Sequence, residues 1–224
     1  VLFGADSNID LAQVLFDLGG VQFGSFDLPG TAGQSPIYIN PRVLSSEPQM
    51  LRRVAKMLNI EIRADASRRR PRLESFAVVA GVPMGGVHIA TAYAIESNTP
   101  LVFLRPTYHP DDHQDSIEGH VVPGQSAIVI DDLMTGGRSI LTTAMRLERV
   151  NMRVRDAIVL IDREQGGVER LHEHGYHVTP ILRLKTMLNY YYASDLIDRD
   201  TFDRCMWYLE DHHWSRQPDS ELDG

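Results

Sequence analysis

Residues 127–139 read Ala-Ile-Val-Ile-Asp-Asp-Leu-Met-Thr-Gly-Gly-Arg-Ser, and no other stretch restricts the fold as much. A short apolar run ends in two adjacent carboxylates, Asp131 and Asp132, and a glycine turn follows. Then Ile140, Leu141, Ala144, Met145, Leu147 and Val150 recur at helical spacing. The pattern predicts a strand over 127–130, a loop, and a helix over 139–150. Glycines let backbone approach an anion, and free amides at a helix start point their hydrogens at it. Ser139 is expected as the helix N-cap or as a phosphate ligand itself. Two carboxylates beside a phosphate can accept from neighbouring sugar hydroxyls, so the loop suggests a ribose 5-phosphate. An ordinary strand–helix connection has the same outline. A P-loop is excluded, because Gly-x-x-x-x-Gly-Lys-Ser/Thr is absent, and so is the Gly-x-Gly-x-x-Gly dinucleotide fingerprint.

The same module repeats along the chain. Strands are expected at 76–80, 101–104, 127–130, 157–161 and 178–182, with helices at 86–96, 139–150 and 168–174 between them. Strands alternating with helices imply βαβ units and an open parallel sheet flanked by helices, an α/β fold. Helices are also expected at 8–18 and 48–60, with a strand-like piece around 37–39, and two more helices within 185–212. These outer pieces would form a small N-terminal and C-terminal hood. Gly81, Arg105, Asp131, Asp132 and Arg163 all follow expected strand ends, the edge where open parallel sheets bind ligands.

The bulk properties of the 224 residues narrow the function classes. One domain over 1–214 is expected, with a disordered polar tail over 215–224. No apolar run reaches the ~18 residues of a membrane span. The net charge of −8 argues against broad nucleic-acid binding. Arg68, Arg69, Arg70 and Arg72 form a basic loop that reads as solvated surface. The single Cys205 sits in a late amphipathic helix, where a packed, inert thiol is expected. No signal peptide is expected ahead of the first helix, which fits a cytoplasmic setting. Val1 stands where a Met would begin a complete chain, leaving the natural start open.

These residues resemble the phosphoribosyl-pyrophosphate (PRPP) signature of type I phosphoribosyltransferases, in which two acidic residues precede a Thr/Gly/Ser-rich loop. Other segments are similar to orotate phosphoribosyltransferases. They are 21–28 with 35–40, Ala-Gly-Val-Pro-Met-Gly-Gly at 80–86 with 89–91, Ile-Glu-Gly at 117–119, and Asp-Arg-Glu-Gln-Gly-Gly at 162–167. The match runs collinearly from about Leu11 to about Leu209. It implies the type I phosphoribosyltransferase fold and transfer of a 5-phosphoribosyl group from PRPP to orotate, with Mg2+ as cofactor and a homodimer as the assembly. From charge, hydropathy and length, no nucleic-acid or membrane partner is expected, and no fused decarboxylase, since the chain ends shortly after Leu209. Leu133, Met134, Thr135, Gly136, Gly137, Arg138 and Ser139 would hold PRPP with Asp131, Asp132 and Arg105. Arg163, Ile37, Tyr38 and Thr135 would hold orotate, with Arg163 on its carboxylate. Asp131, Asp132, Arg105 and His109 are the implied catalytic residues. No residue is a certain metal ligand, since PRPP itself would hold most of the Mg2+.

The mobile loop departs from the family. Arg105 is retained, but Pro106, His109 and Asp111 replace the family's lysines and its His or Tyr. Only two of the 22 basic side chains are lysines, Lys56 and Lys185. Two other readings therefore stay open: a PRPP-dependent transferase with a different acceptor, and a non-catalytic nucleotide-binding homologue. His109 and His113 could also ligate a metal, though a solvated loop is the favoured account.

Overall fold

The computed structural model describes residues 8–28, 34–105 and 117–211. Helices pack on both faces of one sheet whose central strands are apolar on both faces. In β3 (Val78–Gly81) every residue is buried, as a central parallel strand requires. It pairs in parallel with β4 (Leu101–Leu104) on one side and β6 (Ser126–Met134) on the other. Parallel β7 (Arg153–Asp162) and β8 (His177–Arg183) extend the sheet beyond β6. A short antiparallel β5 (Ile117–Glu118) closes the edge beside β4. The six-stranded order is β5-β4-β3-β6-β7-β8. The chain leaves β3 for one side and returns on the other, so strand order reverses between β3 and β6. Such a switch point opens a crevice at the carboxyl ends of the strands.

Side chains alternate between two cores, as the twofold period of a strand dictates. Val129 and Val159 face one core with Ile140, Leu141 and Leu147 of α4 (Arg138–Arg149) and Leu171 of α5 (Gly167–Glu173). Ile128, Ile130 and Ile158 face the other, against α2 (Pro48–Ala66) and α3 (Gly85–Ser97). That second core continues into a hood. Its parts are α1 (Asn8–Asp17), an antiparallel pair β1 (Val21–Asp27) and β2 (Gln34–Ile39), and helices α6 (Leu184–Ala193) and α7 (Arg199–Asp211). The hood is tied by buried Tyr191, whose hydroxyl donates to the Ala12 carbonyl at 2.8 Å. Among the described residues no helix is long and apolar enough to cross a membrane.

The expected elements appear in kind and order but differ at their ends, and β1 and β5 are additional. The helix expected at 48–60 runs on to Ala66. β1 was not expected, and β2 extends the strand-like piece expected around 37–39 back to Gln34. The largest difference is β6, expected to stop at Ile130. It runs to Met134, because β7 keeps pairing with it through Met134↔Asp162. Asp131 and Asp132 therefore lie inside the strand rather than after it. Helix α4 starts one residue early, so its cap is Gly137 at φ 76° and Ser139 is a first-turn residue. The expected N-cap role of Ser139 does not hold. The expected tail at 215–224, like His109 and His113, lies outside the described residues.

Candidate active site

β3 ends at Gly81, opposite Ile130, while β6 continues. The acidic pair thus projects where β6 outruns its neighbour, at the switch point. Asp131 is 4% exposed and its Oδ1 accepts the Asp132 amide at 2.9 Å. Burial holds its carboxyl well above the usual carboxylate range, and the neighbouring Asp132 charge pushes the same way. A carboxyl in this state gains from any ligand that brings cationic charge or hydroxyl donors. Asp132 is half-buried and packs against the start of α3. A Cβ on Gly85 would lie 2.1 Å from Asp132 Oδ2, and one on Gly86 would lie 2.4 Å from the Ile130 carbonyl oxygen. Only glycines let the helix come this close. Its amino end, with partial positive charge, faces the carboxylates.

The phosphate loop follows directly. Thr135, Arg138 and Ser139 are exposed, and Gly136 is half-buried. Gly137 turns the chain through a positive φ that leads into α4. The loop is held from behind by α5. Arg170 Nη1 donates to the Gly136 carbonyl at 2.9 Å. A Cβ on Gly167 would lie 2.5 Å from the Thr135 carbonyl oxygen. Neither Arg170 nor Gly167 was singled out as a site residue, although the Gly-Gly of residues 166–167 carried a signal. Met134, expected among the PRPP residues, is buried with its side chain in the α4 core, so only its backbone faces the loop.

Arg163 opens the turn after β7. Its amide donates to the Met134 carbonyl at 2.9 Å, which sets it beside the phosphate loop. Its side chain is 2% exposed, the largest of the fully buried ones. The structural alternative for such an arginine is an ion pair with its neighbours Asp162 or Glu164. Among the described residues Arg163 has no carboxylate partner: Asp162 accepts the Glu164 amide, and Glu164 accepts the Lys185 amide, each at 2.8 Å. Instead Arg163 Nη2 donates to Ser35 Oγ at 3.1 Å, and its Nε is buried without a partner. Burial pulls the guanidinium below its usual range.

The other expected residues fall less directly. Ile37 is fully buried in the hood core, so only its backbone can face a ligand, while half-buried Tyr38 packs on Phe26 with ring centroids 5.6 Å apart. Arg105 is exposed at the end of β4, where its Nε lies 3.0 Å from Glu118 Oε1 on β5. Its described contacts include no member of the acidic pair. Cys205 is buried in α7, which pushes its thiol up to about 11, as expected of an inert packing residue.

Comparison with known proteins agrees with this geometry. The phosphoribosyl transferase domain model matches residues 44–176. Orotate phosphoribosyltransferase of Thermococcus kodakarensis is 33% identical over 184 residues, 82% of this chain and 94% of that protein. Bovine uridine 5'-monophosphate synthase is 30% identical over 207 residues, which cover 90% of this chain but 40% of the relative's length. The crystal structure of orotate phosphoribosyltransferase from Aeropyrum pernix superposes with a TM-score of 0.70 at 30% identity, covering 80% of this chain and 96% of that one. A helix start pressed on two carboxylates, a glycine loop braced by the next helix, and an arginine buried without an acid at one sheet edge are thus explained together: the chain belongs to the orotate phosphoribosyltransferase family.

Proposed function

We propose that this protein transfers the 5-phosphoribosyl group of PRPP to orotate, giving orotidine 5'-monophosphate and pyrophosphate. The observation that carries the acceptor assignment is Arg163. It is buried beside the phosphate loop with no acidic partner among the described residues, and so keeps its charge for a ligand. A planar guanidinium matches a carboxylate such as that of orotate.

In this reading Thr135 to Ser139 take the 5-phosphate through loop amides and hydroxyls. Asp131 and Asp132 accept from the ribose hydroxyls. They orient the ring so that its C1 faces the acceptor nitrogen. As the C1–pyrophosphate bond breaks, C1 gains positive character and the leaving group gains negative charge. In this reading Arg105 and His109 supply the cation that balances that charge. Tyr38 and the backbone at Ile37 cover the acceptor ring and keep water away.

The residues present fit a magnesium ion. Among the described residues no cluster of three or more His, Cys, Asp or Glu forms a complete metal cage. Two adjacent carboxylates and a polyphosphate substrate are the sparse donor set that Mg2+ takes. When bound, Mg2+ supplies cationic charge to the departing pyrophosphate. The assembly we propose is a cytoplasmic homodimer, which sedimentation velocity would test.

Loss of orotate absorbance in a mixture of protein, PRPP and Mg2+ tests the function. The expected result is PRPP-dependent consumption of orotate with stoichiometric pyrophosphate release. PRPP binding without consumption would overturn the transferase reading. If His109 supplies the cation that the family's lysine supplies, turnover should rise as pH falls toward about 6.5, where imidazole protonates. His109→Lys should flatten that profile, and parallel profiles would remove His109 from the mechanism.

A further inference from the structure

Arg163 is held by a neutral group, and that group lies in the hood. Ser35 is fully buried in β2, and its Oγ accepts Arg163 Nη2 from a residue 128 positions away. The same hydroxyl donates its single hydrogen to the Ile37 carbonyl at 2.7 Å. With that hydrogen committed, only lone pairs face the guanidinium, so Ser35 can act on Arg163 only as an acceptor. Pro36 follows and restricts Ser35 to extended backbone, which fixes the hydroxyl before any ligand arrives.

The choice of a hydroxyl has a chemical consequence. A carboxylate at position 35 would neutralise Arg163 and compete with a substrate carboxylate. An apolar side chain would leave Nη2 without a partner in a buried site, where an unsatisfied donor is costly. A serine orients one edge of the fork and leaves the charge unspent. Among the described residues Nε is buried without a partner, so that donor is left for a ligand.

We propose that Ser35 is a positioning residue for the acceptor. It aims the Arg163 guanidinium at the acceptor carboxylate and couples the hood strand that covers the ring to the arginine that grips it. The proposal rests on the reading of Arg163 given above. Ser35 acts through Arg163 alone, so it governs carboxylate-bearing acceptors and not the ring as such.

The test is steady-state kinetics of the full chain with orotate, alongside inhibition by uracil, the same ring without the carboxylate. Ser35→Ala should raise the orotate KM about tenfold, the scale of one hydrogen bond to a charged group. The PRPP KM and the uracil inhibition constant should stay within about twofold of the parent. On an Arg163→Ala background, Ser35→Ala should add nothing further. Ser35→Thr keeps the hydroxyl and should recover most of the orotate affinity. If Ser35→Ala melts too low to assay, Ser35→Cys, a weaker acceptor of similar size, should give an intermediate orotate KM. Equal weakening of orotate and uracil, or a matching rise in the PRPP KM, would mean a merely structural role. An unchanged orotate KM in Ser35→Ala, with Arg163→Ala impaired, would sink the positioning role while sparing the acceptor assignment. An unchanged orotate KM in Arg163→Ala would overturn that assignment itself, and this proposal with it.

Discussion

Asp162 ends β7 beside the site, and burial raises its carboxyl from 3.8 to about 6. Its folded value lies above its unfolded one. The stabilising contribution is therefore complete below about pH 4 and is lost as pH rises through about 6. Ionisation at neutral pH costs the fold about 3 kcal/mol on this account. Asp162→Asn keeps an oxygen for the Glu164 amide and removes the charge. It should melt a few degrees above the parent near pH 8, the gap closing below about pH 5. Thermal scans across pH check this, and parallel curves would show that Asp162 ionises without penalty. The acidic pair follows similar logic with an opposite consequence for function. Asp131 is also raised by burial, so Asp131→Asn with Asp132→Asn should melt no lower than the parent at neutral pH. PRPP binding should fall by about a hundredfold or more, since each charged acceptor is worth ~1.5–3 kcal/mol. Titration calorimetry giving the parent's PRPP affinity would remove the pair from the site.

Among the elements, the phosphate loop takes its shape from its neighbours. Helix α5 braces Thr135 to Gly137 through Gly167 and Arg170. Gly167→Ala would place a Cβ 2.5 Å from the Thr135 carbonyl oxygen, which is backbone and must move. The expected result is an overpacking cost of ~1–3 kcal/mol in stability. PRPP KM should rise while uracil inhibition changes little. A variant that lost stability but kept the PRPP KM would show that the loop adapts to its brace. The acidic pair inside β6 illustrates the limit of local reading. Asp disfavours strands, so the propensity signal ends at Ile130, yet pairing with β7 carries the strand on to Met134.

Across the whole molecule the two cores share one sheet. Leu58 lies in the hood-side core and Leu147 in the α4 core, both fully buried. Strands β6 and β7 supply alternate side chains to both, so neither core can melt and leave the other intact. Leu58→Ala and Leu147→Ala should each cost ~2–5 kcal/mol and lower one common transition. Far-ultraviolet circular dichroism and tryptophan fluorescence should report the same midpoint in each variant. Separate midpoints would mean that the hood unfolds independently of the sheet.

The amino-acid sequence by itself determined what depends on near neighbours. Apolar runs of strand length, helical spacing after Ser139 and glycines at turns set the order of the modules. Candidate residues collected at strand ends named the ligand-binding edge, and Asp131, Asp132 and Arg163 were legible there. These signals act within a few residues, where periodicity and turn chemistry hold. Tertiary structure decided what depends on residues far apart in the chain. It set β3 between β4 and β6 and so opened the crevice. It pressed Gly85 against Asp132 and brought Ser35 to Arg163. No local pattern encodes such meetings. They arise when two cores fill opposite faces of one sheet, and packing then leaves a single position for each strand, helix start and buried charge.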